Sequence, residues 1–233
     1  MEPTPTAPHP SPAEAPLFTR LRVAFQSFRM LVKDATDPVH GPLFQESIDG
    51  GRYIQWVRQL AQEAEGSRLL SERPSLSVDR VDFEALSRLP PGTLGHAFAR
   101  FYLDKGLNPL ASHDRQLSDV QYLAQRMRET HDLHHLLTGY GTDMLGEQEL
   151  QAFQYGNLRT PTSLIALGHG VAVELPRHPA EYLRRVRAAF QRGRVSRPIA
   201  SIPWEEHWET PLKHFQEQFC SPRENTPPVT ASA

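Results

Sequence analysis

Cysteine is almost absent from this 233-residue chain: Cys220, close to the C-terminus, is the single example. No internal disulfide and no cysteine-based zinc site can form from one thiol, which favours a reducing, cytosolic setting. An excess of either charge is missing too. Twenty-five Lys and Arg against 27 Asp and Glu leave a formal net charge of -2, which excludes a protein that holds nucleic-acid phosphates by bulk charge. No apolar run approaches the roughly 18 residues needed to span a bilayer, so any membrane contact is expected to be peripheral. Sustained period-two alternation, the mark of strands, is also lacking. What remains, 39% hydrophobic and 22% charged, is the composition of a soluble globular protein with length enough for one good core.

The proline-dense start, "MEPTPTAPHPSPAEAP", carries no Arg or Lys and no apolar centre, so it reads as neither a secretory signal nor a mitochondrial presequence. It is expected to be a disordered tail over 1–16, matched by another over 219–233, with one helical domain over 17–218. Phe18, Leu21, Phe25, Phe28 and Leu31 recur at steps of three or four and predict a helix from about 17 to 35 whose stripe is core. Further helices are predicted around 51–65, 82–88, 93–106 with Thr93 as cap, 147–155, 161–174, 179–192 with Gly193 just after it, and 204–217. The clearest pattern is "LSDVQYLAQRMRETHDLHHLLTG", capped by Ser118 or Asp119 and stopped by Gly139. The fold class expected is all-α.

The run "RETHDLHHLLTGYGTDMLGEQEL", residues 128–150, concentrates metal-capable side chains. On a helix, His131 and His135 lie about 40° apart around the axis and Asp132 about 100° from His131, so the three can face one point. His134, about 60° behind His131, is not excluded by angle. A glycine-bearing turn follows, and Glu147 opens the next helix, with Gly146 as its expected cap. An antiparallel return would carry that carboxylate back to the imidazoles. Two imidazoles and one or two carboxylates suit Zn²⁺ or another divalent transition metal. The alternative is histidines on an ordinary polar or core-facing helix surface. HDxxH differs from the HExxH helix of zinc hydrolases by one methylene on the acid, which argues against a protease.

His131, Asp132, His135 and, eleven residues on, Glu147 resemble the signature of the Coq-four family of coenzyme Q (ubiquinone) biosynthesis proteins. "RLLSERPSL", "LPPGTLGHAFARFYLDKGLNP" and "RMRETHDLHHLLTGYGTDMLGEQELQAFQYGN" are similar to segments of that family in the same order. The likeness covers about 50–175 and extends weakly to 215. Without a recognisable presequence, a bacterial member is expected. The resemblance implies a mostly helical fold and a divalent metal, usually taken as zinc, with His131, Asp132, His135 and Glu147 as ligands. It also implies removal of the C1 carboxyl from a polyprenylated hydroxybenzoate ring, coupled to hydroxylation there, beside other ubiquinone biosynthesis enzymes. The expected location is cytoplasmic, peripheral to the inner cell membrane. Oligomeric state stays open, a homodimer included, and no nucleic acid is expected.

Other features have two readings each. "RRVRAAFQRGRVSR", 184–197, holds six arginines and is either a surface for anionic lipid or a solvated helix end. Trp204 and Trp208 are interfacial anchors or packed residues. Gly95, Ala97, Ala99, Gly168 and Gly170 line an isoprenoid groove or serve helix packing. Tyr140 and Asp143 move protons or cap the turn. At the level of function, a metal-dependent decarboxylase stands against a non-catalytic isoprenoid-binding scaffold and a helical HD-type phosphohydrolase. That last class needs a further upstream His and a distant Asp, for which only His96 or His113 offer themselves upstream.

Overall fold

Helix formation with local capping organises almost everything that the chain does. The computed structural model describes residues 11–34, 37, 39–77, 80–105 and 117–220. Among these there are eleven α-helices and no strand: α1 Leu17–Leu31, α2 His40–Leu60, α3 Ala64–Glu72, α4 Phe83–Ser87, α5 Leu94–Lys105, α6 Asp119–Glu129, α7 His131–Thr138, α8 Met144–Leu158, α9 Pro161–Val173, α10 Pro179–Val195 and α11 Leu212–Cys220. The all-α expectation holds. Short 3-10 turns occupy Pro12–Glu14, Ile199–Ser201 and Trp204–His207. The first of these lies inside the segment read as a tail; residues 1–10 and 221–233 are outside the described residues. The α-helices fall into two compact units, α1, α2, α3 and α6 in one and the rest in the other.

In the first unit α2 packs against α1 and α6. α1 turns Ala24 and Ser27 inward, and Arg20 donates through Nε to the Ser47 carbonyl at 3.0 Å. The stripe expected as core is therefore on the outside: Phe18 is 89% and Phe25 63% exposed, with Leu21 and Phe28 also exposed. Periodicity shows that a helix has an apolar face; it does not say what covers it. Small residues let α1 approach α2 closely, and that face won. On α6 the Ser118–Gln121 capping box fixes the first turn. The buried Glu129 carboxylate then accepts from Leu76 N at 2.9 Å and Ser75 Oγ at 3.1 Å, while buried Arg126 donates to the Pro74 carbonyl at 3.0 Å. These bonds tie an extended segment that has no helical ladder of its own.

The second unit is built around α8, flanked by α9 and α10. At the α8–α10 crossing two glycines face backbone: a Cβ on Gly193 would collide with the Phe153 carbonyl, and one on Gly156 with that of Phe190. Gly193 thus sits inside α10, which runs on to Val195, and is not its stop. Asn157 finishes the join, donating to the Gly193 and Arg197 carbonyls and accepting from Ile199 N, each at 3.0 Å. The start of α5 receives its missing partners from afar, with Leu94 N on Thr210 O and Gly95 N on Trp208 O, both 2.9 Å, while Thr93 Oγ1 accepts from His96 N as the expected cap. Trp204 is fully buried and Trp208 stacks on Phe98 at 5.5 Å, so both tryptophans serve packing. Gly95 and Gly170 likewise meet neighbouring atoms, whereas Gly168 faces open space.

That contrast gives a paired test of the crossing. Gly193→Ala must push two helix backbones apart and is expected to cost about 2–4 kcal/mol, read as a clear fall in melting temperature. Gly168→Ala, with nothing to meet, is expected to be neutral or to gain up to about 1 kcal/mol from helix propensity.

Candidate metal centre

The site begins where the predicted long helix breaks. Thr130, with ψ near zero, ends α6, and α7 starts afresh at His131, where the chain re-enters the other unit. α7 is short because Gly139, at φ 74°, takes the left-handed conformation that closes it, its amide on the His135 carbonyl at 2.8 Å. The chain turns, and Asp143, not Gly146, caps α8: its Oδ1 accepts from Gly146 N at 2.7 Å. Gly146 is the third residue of the helix and the donor. Asp143 is thus a turn-capping residue, one of the two roles its position allowed. Glu147 lies in that first turn, where a carboxylate is also favoured by the helix dipole.

Three of the four expected ligands converge. His131 Nε2, His135 Nε2 and the Glu147 carboxylate offer ligand atoms that all lie within 4.8 Å of one another. Glu147 reaches His135 at 3.1 Å and His131 at 3.7 Å, and the two imidazoles stand edge to face at 5.1 Å. Two ligand atoms about 2.1 Å from a tetrahedral ion sit about 3.4 Å apart, which the two Glu147–histidine distances bracket; a side-chain adjustment would bring all three groups onto one ion. Asp132, partly exposed beside His131, does not join within that distance, although its charge acts on His135. His134 is fully buried, with Nδ1 at 3.0 Å from Gln154 Nε2 and its ring against Trp204. None of His96, His169, His207 and His214 belongs to the cluster, and His113 is outside the described residues.

Orientation comes from behind. His135 is 3% exposed, and its Nδ1 lies 3.2 Å from the Tyr140 carbonyl. A carbonyl only accepts, so Nδ1 donates there and fixes the ring; Nε2 donates to Glu147 at 3.1 Å and would offer its lone pair to an ion once that proton leaves. Phe101 of α5 stacks beside the same ring at 6.2 Å. Arg192 of α10 donates to the Thr138 carbonyl and covers the Tyr140 ring at 5.6 Å, holding the turn that supplies that acceptor. Burial alone would raise the Glu147 carboxyl, but hydrogen bonds from both histidines draw it down to about 2. Burial opposes charge on His135, yet the Glu147 bond and charge outweigh it and lift the imidazole above its ordinary value. Burial likewise raises the Tyr140 phenol.

Sequence reasoning missed Phe101, Gln154 and Arg192. Arg192 was visible only as part of the arginine run, of which it and Arg185 are the two half-buried members. Arg185 pairs with Glu149 and Glu181, while Arg184, Arg187, Arg194 and Arg197 are exposed, the last two lying over the rings of Phe190 and Phe219.

Comparison with known proteins agrees with the motif. The family model described as Coenzyme Q (ubiquinone) biosynthesis protein Coq4 matches residues 25–221. The mitochondrial ubiquinone biosynthesis protein COQ4 homolog of Rattus norvegicus is 30% identical over 175 residues, 73% of this chain and 66% of that protein. Its counterpart in Drosophila virilis is 34% identical over 149 residues, 62% of this chain and 56% of that one. The chain thus spans somewhat less than two thirds of the length of these curated relatives. The crystal structure of a candidate ubiquinone biosynthesis protein from Nostoc punctiforme PCC 73102 superposes with a TM-score of 0.67 at 24% identity, covering 86% of this chain and 95% of that one, and so shares its fold.

The electrostatics of the cluster set a direction for metal affinity. Zn²⁺ competes with the proton on His135, so affinity is expected to be fully developed above the raised imidazole pKa. It should weaken by up to about tenfold per pH unit below it. Glu147, ionised down to about pH 2, contributes no slope in the neutral range. Zinc titrations at several pH values check this; an affinity flat from neutrality to mild acid would remove His135 from the site.

Proposed function

The chain belongs to the Coq4 family of coenzyme Q (ubiquinone) biosynthesis proteins, and from that premise we propose a metal-dependent enzyme that acts on a polyprenylated hydroxybenzoate at a membrane surface. It removes the ring C1 carboxyl as CO₂ and leaves a hydroxyl in its place: the ring gives up two electrons to dioxygen, which leaves as hydrogen peroxide, and water supplies the hydroxyl oxygen. The observation that carries this reading is the incompleteness of the cluster: three protein ligands converge, and two of them, His131 and Glu147, are 36% exposed. A structural zinc site is closed by four protein ligands; a catalytic one keeps a position for substrate. An open, partly solvated side on His131 and Glu147 supports the second kind.

Zinc, or another divalent ion held by His131, His135 and Glu147, supplies when bound a Lewis acid for the oxyanion and carboxylate charge that develops as CO₂ departs. The chain's own residues set the conditions for this. Buried His135 gives one side of the centre a fixed direction through the Tyr140 carbonyl. Glu147 stays ionised and so takes no proton from a phenol at neutral pH. Phe101 adds an apolar wall beside His135, suited to an aromatic ring. Zinc has no redox chemistry of its own, so electrons for dioxygen come from the electron-rich ring. The partners proposed are the polyprenylated substrate, the bilayer that holds it and the enzymes of the neighbouring steps, at the cytoplasmic face of the cell membrane. No helix among the described residues is long and apolar enough to cross a membrane, in keeping with a peripheral protein.

The decisive test pairs metal content with turnover of a detergent-solubilised prenylated 4-hydroxybenzoate under air. Stoichiometric metal in the wild type, its loss in His135→Ala, and a fall in decarboxylation of at least about 100-fold in that variant are expected. Bound metal without turnover under any condition would replace the enzyme by the scaffold. No metal at all would overturn the site.

A further inference from the structure

Six apolar side chains of the first unit line one face of α1 and the residue just beyond it, Phe28 half-exposed beside the Phe44 ring at 6.0 Å and the other five more open. Leu17, Phe18, Leu21, Phe25, Phe28 and Val32 are all exposed, Phe18 at 89%, Val32 at 70% and Leu17 at 65%. At 100° per residue they occupy an arc of about 100° on and just beyond α1, a stripe about 22 Å long. Ala24 and Ser27 take the opposite flank against α2. Next to the stripe on its other flank, within about 60°, stand Arg22, Arg29 and Lys33, all exposed. Residues 17–33 contain four cations and no Asp or Glu, in a chain whose net charge is -2.

We propose that α1 lies flat in the interface of an anionic bilayer, with its phenylalanines among the acyl chains and Arg22, Arg29 and Lys33 on lipid phosphates. This deepens the membrane-surface part of the function proposed above and rests on it, by naming the surface that docks and the lipid chemistry that it takes. A helix with one apolar face, a cationic border and too few apolar residues to span is the form that settles at headgroup depth. Exposed apolar patches of this size mark interaction surfaces. Charge chooses the occupant. Two copies of α1 packed antiparallel through the stripe would bring both cationic borders to the same edge, with no acid on either helix to neutralise them. Anionic headgroups complement the same border. The arginine run of 184–197, the other cationic segment, belongs to the other unit and has four of its six arginines exposed; within the first unit, α1 joins an exposed apolar stripe to a cationic border.

Flotation of the full chain with vesicles of phosphatidylcholine alone, and of equimolar phosphatidylcholine and phosphatidylglycerol, tests this against two double variants. The wild type is expected to float with the anionic vesicles and much less with the neutral ones. Phe18→Asp with Phe25→Asp should lower binding to both by at least about tenfold. Arg22→Glu with Arg29→Glu should abolish the anionic preference, by on the order of fivefold or more per cation. Because all four positions are exposed, melting temperature, metal content and turnover of detergent-solubilised substrate should be unchanged, which separates failure here from failure of the proposed reaction. Wild-type protein that ignores vesicles, or variants that bind like wild type, would overturn the proposal. So would a drop in assembly mass confined to the phenylalanine variant, which would assign the face to a second copy.

Discussion

One carboxylate meeting two imidazoles is the interaction on which the candidate centre depends. His131 and His135 stand one helical turn apart, about 6 Å along the axis, so Glu147 can reach both only if the start of α8 is laid against α7. Each device around the turn serves that requirement. Gly139 ends α7 with a left-handed residue, Asp143 starts α8 by capping it, and Gly146 passes so close to the Gly141 backbone that no side chain fits. The Arg192 guanidinium then holds Thr138 and Tyr140 from α10. Arg192 is itself placed by the glycine crossing one residue away, where Gly193 touches Phe153 of α8. A packing constraint between two long helices is thereby passed to the acceptor that orients the His135 ring, and from there to the direction in which Nε2 points.

Much of this was legible in the chain because local chemistry leaves local marks. The all-α class follows from periodicity, and α5 with its Thr93 cap, α9 with Pro161 at its start and the Gly139 stop follow from side chains that satisfy their own backbone. His131, His135 and Glu147 were recognisable because helix geometry and one turn decide their meeting, whereas Asp132 shares their sequence signature but not their convergence in this structure. The failures share one cause. Gly193 looked like a helix stop because glycine weakens helices in isolation; only α8, distant in sequence, shows that it is there for close approach. α3 went unseen because its nine residues bury just Gly66, Leu69 and Leu70, too few for a stripe. The arginine run looked uniform, yet Glu149, Thr138 and Tyr140 divide its members between inside and outside.

The asymmetry of the three converging groups bears on what the centre can do. His135 is buried and fixed through its second nitrogen, while His131 and Glu147 border solvent. A site meant only to hold helices together would gain by burying all its ligands and adding a fourth, since each solvent-facing ligand is a route for hydrolysis and exchange. One rigid ligand and two accessible ones instead leave room for an aromatic carboxylate to approach from the solvent side, with Phe101 behind. Under the proposed function the missing convergence of Asp132 fits the same picture, because a fourth side chain in the shell would occupy the place that a substrate would need.

A polyprenylated ring poses a further physical problem: its tail belongs in a bilayer and its carboxylate belongs at an ion. Drawing such a molecule wholly into water would expose every isoprene unit, at about 25 cal/mol per Å² of apolar surface, far more than one carboxylate–metal contact returns. A protein that handles it is therefore expected to leave apolar surface where lipid can reach it. Both units do. In addition to the stripe of α1, α9 exposes Leu164, Ile165 and Val171 around Gly168, which faces open space, and α9 packs directly on α8, the helix that carries Glu147. On the proposed function, apolar exposure beside the ligand-bearing helix would let the ring reach the centre while its tail stays in an apolar phase.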